Sequence, residues 1–377
     1  MKKILLSIFA VAALFSCSKS DITYEQDETA IGISPIAKNI TKSVAGYNGD
    51  TFDGVFPTGI NLYVFANVQD DVTTDGFDWN DPYFTNSLFK YNKDKGTNSS
   101  VTQGGITIPT TGAYEGDPTR YWPNVKSVIF AGVSKACNIN AGENPAIPTM
   151  NFSSNILSIS NYVQDNDTYT AEGANDLMWF PWDGSSYTKQ TAEIIANMKH
   201  ACSWITIQVK GEGITVSPTP WQITDITING LVSKGKVDCK YTKSGENYIA
   251  STDWTLSTQS SDIKTYNIFT GTQNIATGVA KCETEGKTNN TIVIPQKPTS
   301  IDVTYTYVSQ EGATDAQDIK VTETKNVSLK LNDNNTIKWE SGKHYIYTIT
   351  FTATEILVDP YVSTWTEYSP APTVPVN

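Results

Sequence analysis

The chain is short of arginine. Of its 27 Lys+Arg residues, Arg120 is the single arginine, against 39 Asp+Glu and a net charge of −12. Phosphate binding needs clustered positive charge, so nucleic acid is excluded as a partner. Histidine is almost as scarce: His200 and His344 lie far apart, and neither has the sequence surroundings of a catalytic triad. The expectation is a protein that is not an enzyme and that uses no cofactor. Cysteines number five, and the spacings of Cys137, Cys202, Cys239 and Cys282 match no zinc or redox motif. Long apolar runs are missing after the first twenty residues, which leaves no later transmembrane candidate. Acidic groups occur in two loop-like clusters, Asp70, Asp71, Asp75 and Asp78, and Asp165 with Asp167. Neither has EF-hand spacing, so no metal site is assigned.

What the chain has in quantity is Tyr (19), Phe (13) and Trp (9), together with Thr and Val. These residues fit pleated, half-buried surfaces and favour strands. Ile60 to Ala66 is apolar on both faces and reads as a central strand. Residues 67–100 are rich in Asp, Asn, Gly and Thr and read as long loops. Val101 to Ile108 is a weak strand, Val128 to Val133 a strong one, and Ile156 to Ile159 a short one. Thr191 to Ala201 fits either a helix or a strand, and the strand reading puts Ile194, Ala196 and Met198 inward. Ile205 to Val209 alternates cleanly. In Ile223 to Leu231 the apolar face shifts at Asp225, as at a β-bulge. Ile292 to Ile294, Val303 to Tyr307 and Val327 to Leu331 follow. The clearest strand is Tyr345 to Phe351, with Tyr345, Tyr347, Ile349 and Phe351 on one face. The reading is an all-β chain of two β-sandwich domains in tandem, 30–185 and 186–377.

The first residues carry an address. A basic start, Met1-Lys2-Lys3, precedes an uncharged, mostly apolar run from Ile4 to Leu14, and Ser16 stands directly before Cys17. This is a signal peptide over residues 1–16. Cys17 resembles the lipid-bearing cysteine of a bacterial lipoprotein, which implies attachment to the outer membrane through acyl chains. Residues 17–29 then read as a tether. The cluster from Trp179 to Trp182 offers a possible sugar-contact platform through those two rings, with burial as the commoner fate of such side chains.

Several phrases occur in the order seen in the fimbrillin-like family, the lipoprotein pilus subunits of anaerobic Gram-negative bacteria. Tyr121-Trp122-Pro123 precedes Val128-Ile129-Phe130-Ala131. Asn175-Asp176-Leu177-Met178 follows, and then Met198-Lys199-His200-Ala201 leads into Trp204-Ile205-Thr206-Ile207. Ile226 to Leu231, Val293-Ile294-Pro295-Gln296, Ile301 to Tyr305 and Trp339 to Tyr347 continue the order, which closes at Trp365. The resemblance implies transthyretin-like sandwiches and a structural subunit of surface fimbriae serving adhesion or biofilm formation. Its partners would be further copies of the chain or related subunits, and ligands on host or bacterial surfaces. It also implies a route: proteolysis removes the first strand, and a neighbour's strand fills the vacated groove by β-augmentation. Here the strand to be released would hold Ala30, Ile31, Ile33 and Ile36, with cleavage at Lys42 or, second, Lys38. The donor segment would hold Ile356, Val358, Val362 and Trp365, with Pro360 expected to interrupt its ladder.

Overall fold

The structure, a computed structural model, describes residues 26–37, 61–69, 82–92, 100–103, 106–109, 113–124, 127–134, 148–164, 176–190, 193–213, 221–244, 247–282, 291–298, 300–310, 319–329, 338–352 and 356–364. Cys17, Lys38, Lys42, Cys137, Trp365 and both acidic clusters lie outside the described residues. Within them the chain is all-β, with a single 3-10 turn at Ser260–Asp262 and no α-helix.

The first half runs β1 (Gln26–Ala30), β2 (Gly32–Ala37), β3 (Leu62–Gln69), β4 (Phe84–Asn92), β5 (Ser100–Gln103), β6 (Ile106–Pro109), β7 (Ala113–Gly116), β8 (Tyr121–Pro123) and β9 (Ser127–Ser134). It continues with β10 (Pro148–Asn151), β11 (Ile156–Val163), β12 (Met178–Phe180) and β13 (Ile194–His200). The second half holds β14 (Ser203–Gly211), β15 (Gln222–Val232), β16 (Lys234–Ser244), β17 (Asn247–Leu256), β18 (Ile263–Asn274), β19 (Ala280–Lys281) and β20 (Thr291–Val293). It ends with β21 (Ser300–Gln310), β22 (Ile319–Ser328), β23 (Lys343–Phe351) and β24 (Ile356–Thr364).

Three layers of core organise these strands. In the first half the main sheet curls into a closed barrel, β12-β13-β2-β7-β4-β3-β9. Alternate residues of its strands point inward, so Leu62, Val64 and Ala66 of β3 meet Val128 and Phe130 of β9 inside. The other face of β9 is buried too. Ile129, Ala131 and Val133 pack on a second sheet, β10-β11-β16-β17. That explains the unbroken apolar run read as a strong strand. In the second half a sheet of β19-β14-β23-β24, with β20 also on β14, faces the sheet β18-β15-β21-β22 across a core of Ile205, Ile226, Val303, Tyr347 and Phe351.

Several expectations need revision. The stretch 67–100 is not all loop: β4 lies in the barrel wall and buries Phe84 and Phe89. Val101 to Ile108 is a hairpin of β5 and β6 rather than one strand. Strand β1 begins at Gln26, inside the expected tether, and pairs with β8. Strand β24 runs unbroken through Pro360, which sits opposite Tyr347. An edge strand tolerates proline, because the missing N–H can face away from its partner. Pairing also crosses residue 185: β13 joins the barrel, and β16 pairs with β11.

Candidate functional site: the seat of the leading strand

Strand β2 closes the barrel. On one side it lies parallel to β13, from Ile33 opposite Ile194 to Ala37 opposite Met198. On the other it runs antiparallel to β7 for two pairs, Gly32 with Glu115 and Ile33 with Tyr114. Beyond Ile33 the described residues pair β2 on the β13 side only, and Pro35 falls in that stretch, where a missing N–H is least costly. One residue earlier, the Ile31 amide donates to the Arg120 carbonyl at 2.7 Å.

The side chains are seated as firmly as the backbone. Ile31 and Ile33 are both 0 % exposed and join the barrel core, with Tyr114, Ile194 and Ala196 of the flanking strands in the same cluster. Burying an isoleucine fully is worth about 1.5–3 kcal/mol. Withdrawing β2 would therefore open two pockets and bare two strand edges, β7 and β13. Unpaired N–H and C=O groups along such edges are a template for another strand.

The strand β13 was legible as strand or helix, and the structure puts Ile194, Ala196 and Met198 in the core as the strand reading required. Its far end carries a buried polar pair. His200 Nδ1 lies 2.7 Å from Asp176 Oδ2, and Asp176 is 0 % exposed. Cys202 is close enough to this carboxylate to feel its charge. Burial first, and the Asp176 charge second, push the Cys202 thiol up to about 12. A thiol so raised stays protonated and is a poor nucleophile. The nearest polar neighbours of the Cys202 sulfur are the Tyr162 hydroxyl and Gln164 Oε1, each at 3.7 Å. Among the described residues no cluster of three or more His, Cys, Asp or Glu side chains could hold a metal ion.

The other sequence candidates are distributed differently. Trp179 is 1 % exposed and lies in the core between the barrel and the second sheet, so it offers no ring face to a sugar. Trp182 is half-buried against the same core, with its indole N–H bonded to the Ser185 carbonyl. The pair does not form a shared platform. His344 is buried inside β23, stacked on Trp204 at 3.5 Å and within 2.9 Å of Thr206 Oγ1. In β24, Ile356 packs on the second-half core, while Val362 is 44 % exposed.

A solved structure with a TM-score above 0.5 shares this architecture. Among solved structures, a fimbrial protein from Bacteroides vulgatus is similar at 13% identity, over 89% of this chain and 99% of that one, with a TM-score of 0.52. A fimbrial assembly protein from Parabacteroides distasonis is similar at 13% identity, over 89% of this chain and 100% of that one, with a TM-score of 0.30. No curated protein matches the chain. The family model described as fimbrillin-like matches residues 50–365, most of the chain's length, and the chain accordingly belongs to the fimbrillin-like family.

Proposed function

We propose that this chain is a structural subunit of surface fimbriae, made as a lipidated precursor and polymerised by strand exchange for adhesion or biofilm formation. The observation that carries this reading is the position of β2. It is among the first strands of the chain, yet it closes the barrel between β7 and β13 with Ile31 and Ile33 fully buried. A leading element that fills a groove, rather than lying on a surface, leaves a shaped acceptor when it goes.

In this scheme the signal peptide ends at residue 16 and Cys17 takes the lipid that holds the precursor on the outer membrane. A tether leads from there to β1. Two domains follow, 30–185 and 186–377, with β13 and the β16–β17 hairpin reaching back to pair with the first. Cleavage at Lys42, or at Lys38, frees the segment holding Ala30, Ile31, Ile33 and Ile36. A strand from another copy or a related subunit then fills the gap, and the C-terminal segment with Ile356, Val358, Val362 and Trp365 is the candidate donor. The subunit then leaves its anchor for the extracellular fimbrium, where it meets ligands on host or bacterial surfaces.

Trypsin treatment of the purified precursor tests the scheme. The expected result is a core trimmed near Lys42 that forms ladders resistant to SDS. A core that loses residues 1–42 and stays strictly monomeric would refute the polymerising role.

A further inference from the structure

The sheet β18-β15-β21-β22 has two unlike faces. Ile226, Ile228 and Val303 point into the second-half core, and alternation turns the residues between them outward. Those outward positions are Thr, Asn, Ser and Gln nearly throughout. The charged members are Asp225, Asp302 and Lys320, and the apolar ones, Val232, Ile263 and Val308, stand at the ends.

These side chains are tied to one another across the strands. Thr304 and Thr324 share a hydroxyl hydrogen bond at 2.8 Å, and Thr306 and Thr322 another at 3.0 Å. One row crosses the whole sheet. Thr265 Oγ1 donates to Asn229 Oδ1 at 3.0 Å. Asn229 Nδ2 donates to Asp302 Oδ2 at 2.6 Å, and Asn326 Nδ2 to Asp302 Oδ1 at 2.6 Å. Asn267 Nδ2 and Thr270 Oγ1 both donate to Asp225 Oδ1, at 2.7 and 2.9 Å. The two carboxylates are thus absorbed into the lattice.

We propose that this face binds a neutral, hydroxyl-rich polysaccharide. Three properties select that partner. The rotamers are already fixed, so a ligand loses little affinity to side-chain ordering. Each hydroxyl in a Thr–Thr pair keeps hydrogen-bonding capacity beyond the bond it makes, since a hydroxyl has one donor and two acceptor sites. The face lacks both the positive charge that an anionic polymer needs and the aromatic or arginine anchors of a protein hot spot. Its extent points the same way. With strands about 4.8 Å apart and same-face residues about 7 Å apart, four strands span on the order of 500 Å². A stable protein partner covers about 800 Å². Single contacts would be weak, and repetition along a filament would multiply them. Only that multiplication rests on the fimbrial reading.

The test uses the unpolymerised full-length precursor, so it does not depend on strand exchange. The protein is run in native gels cast with a neutral polysaccharide (a β-glucan, a mannan or a xylan) or with an anionic one. Retardation by at least one neutral polymer is expected, weakened at least fivefold in Thr304→Val/Thr324→Val. Ser251→Val, on the outside of β17, should leave it unchanged. Circular dichroism and thermal melts check that each variant is folded. Should the Thr304→Val/Thr324→Val pair fail to fold, Thr322→Val alone gives the same reading. The proposal is overturned by no retardation in any neutral polymer, by retardation only in the anionic one, by equal retardation of wild type and lattice variants, or by retardation that tracks self-association in sedimentation.

Discussion

Strands near the two ends of the described chain, β2 and β24, are opposite in character. β2 is paired on both sides, β13 on one and β7 on the other, and its Ile33, with Ile31 just before it, is sealed in the barrel. Among the described residues β24 is paired on one side only, with nine register pairs to β23, and exposes Leu357 and Val362 by 47 % and 44 %. β2 is therefore held by pockets, and β24 by its ladder. The contrast bears on which strand could be replaced and which could be lent. Loss of a pocketed strand leaves a specific acceptor, whereas loss of an edge strand leaves another edge. A strand held mainly by backbone pairing is also the easier one to detach.

Graded substitutions test that asymmetry, beginning with the wall behind β2. His200→Ala strands the Asp176 carboxylate in the interior at the end of β13. A loss of about 3–5 kcal/mol is expected in chemical denaturation. Ile33→Ala should cost about 2–5 kcal/mol, since it empties a pocket in a packed core. If Ile33→Ala proved near-neutral, the pocket description of β2 would be wrong. Gly132→Ala attacks barrel closure from the far side. A Cβ there would collide with the Phe180 ring, and overpacking of this kind costs about 1–3 kcal/mol. Leu357→Ala on β24 should change stability by no more than about 0.5 kcal/mol. An effect as large as that of Ile33→Ala would erase the contrast.

The smallest effect concerns acid. Glu323 on β22 accepts hydrogen bonds from the Tyr305 and then the Tyr307 hydroxyl, which hold its carboxyl below the usual carboxylate range. A lowered folded-state value means that its contribution is complete above the unfolded value and is lost as pH falls through the folded one. Glu323→Gln should therefore be slightly less stable than the wild type near neutral pH, and the difference should vanish as the pH falls through the folded-state value.

Parts of this architecture were open to inspection in the residues themselves. Tyr345, Tyr347, Ile349 and Phe351 alternate because one side of β23 faces a core. The slip at Asp225 is seen as shifted register in β15 against both of its neighbours. β4 was hidden because its burial does not alternate. Phe84 and Phe89 are five apart, and Asn86 takes a positive φ of 50° between them. A pattern that changes phase mid-strand looks like loop. The seat of β2 was unreadable for another reason: its walls come from residues 113–116 and 194–200, and nothing local links those to Ile33. His344 and Trp179 show the limit of local context, since each is enclosed by residues distant in sequence.

The sheet β10-β11-β16-β17 takes two strands from each half of the chain, and the core beneath it holds Phe65 and Ile129 from one half with Val237, Cys239 and Ile292 from the other. Bending the molecule at its middle would tear that layer and wet those side chains. That shared layer resists bending between the halves, so any fibre built from such molecules would flex more readily at the joints between them.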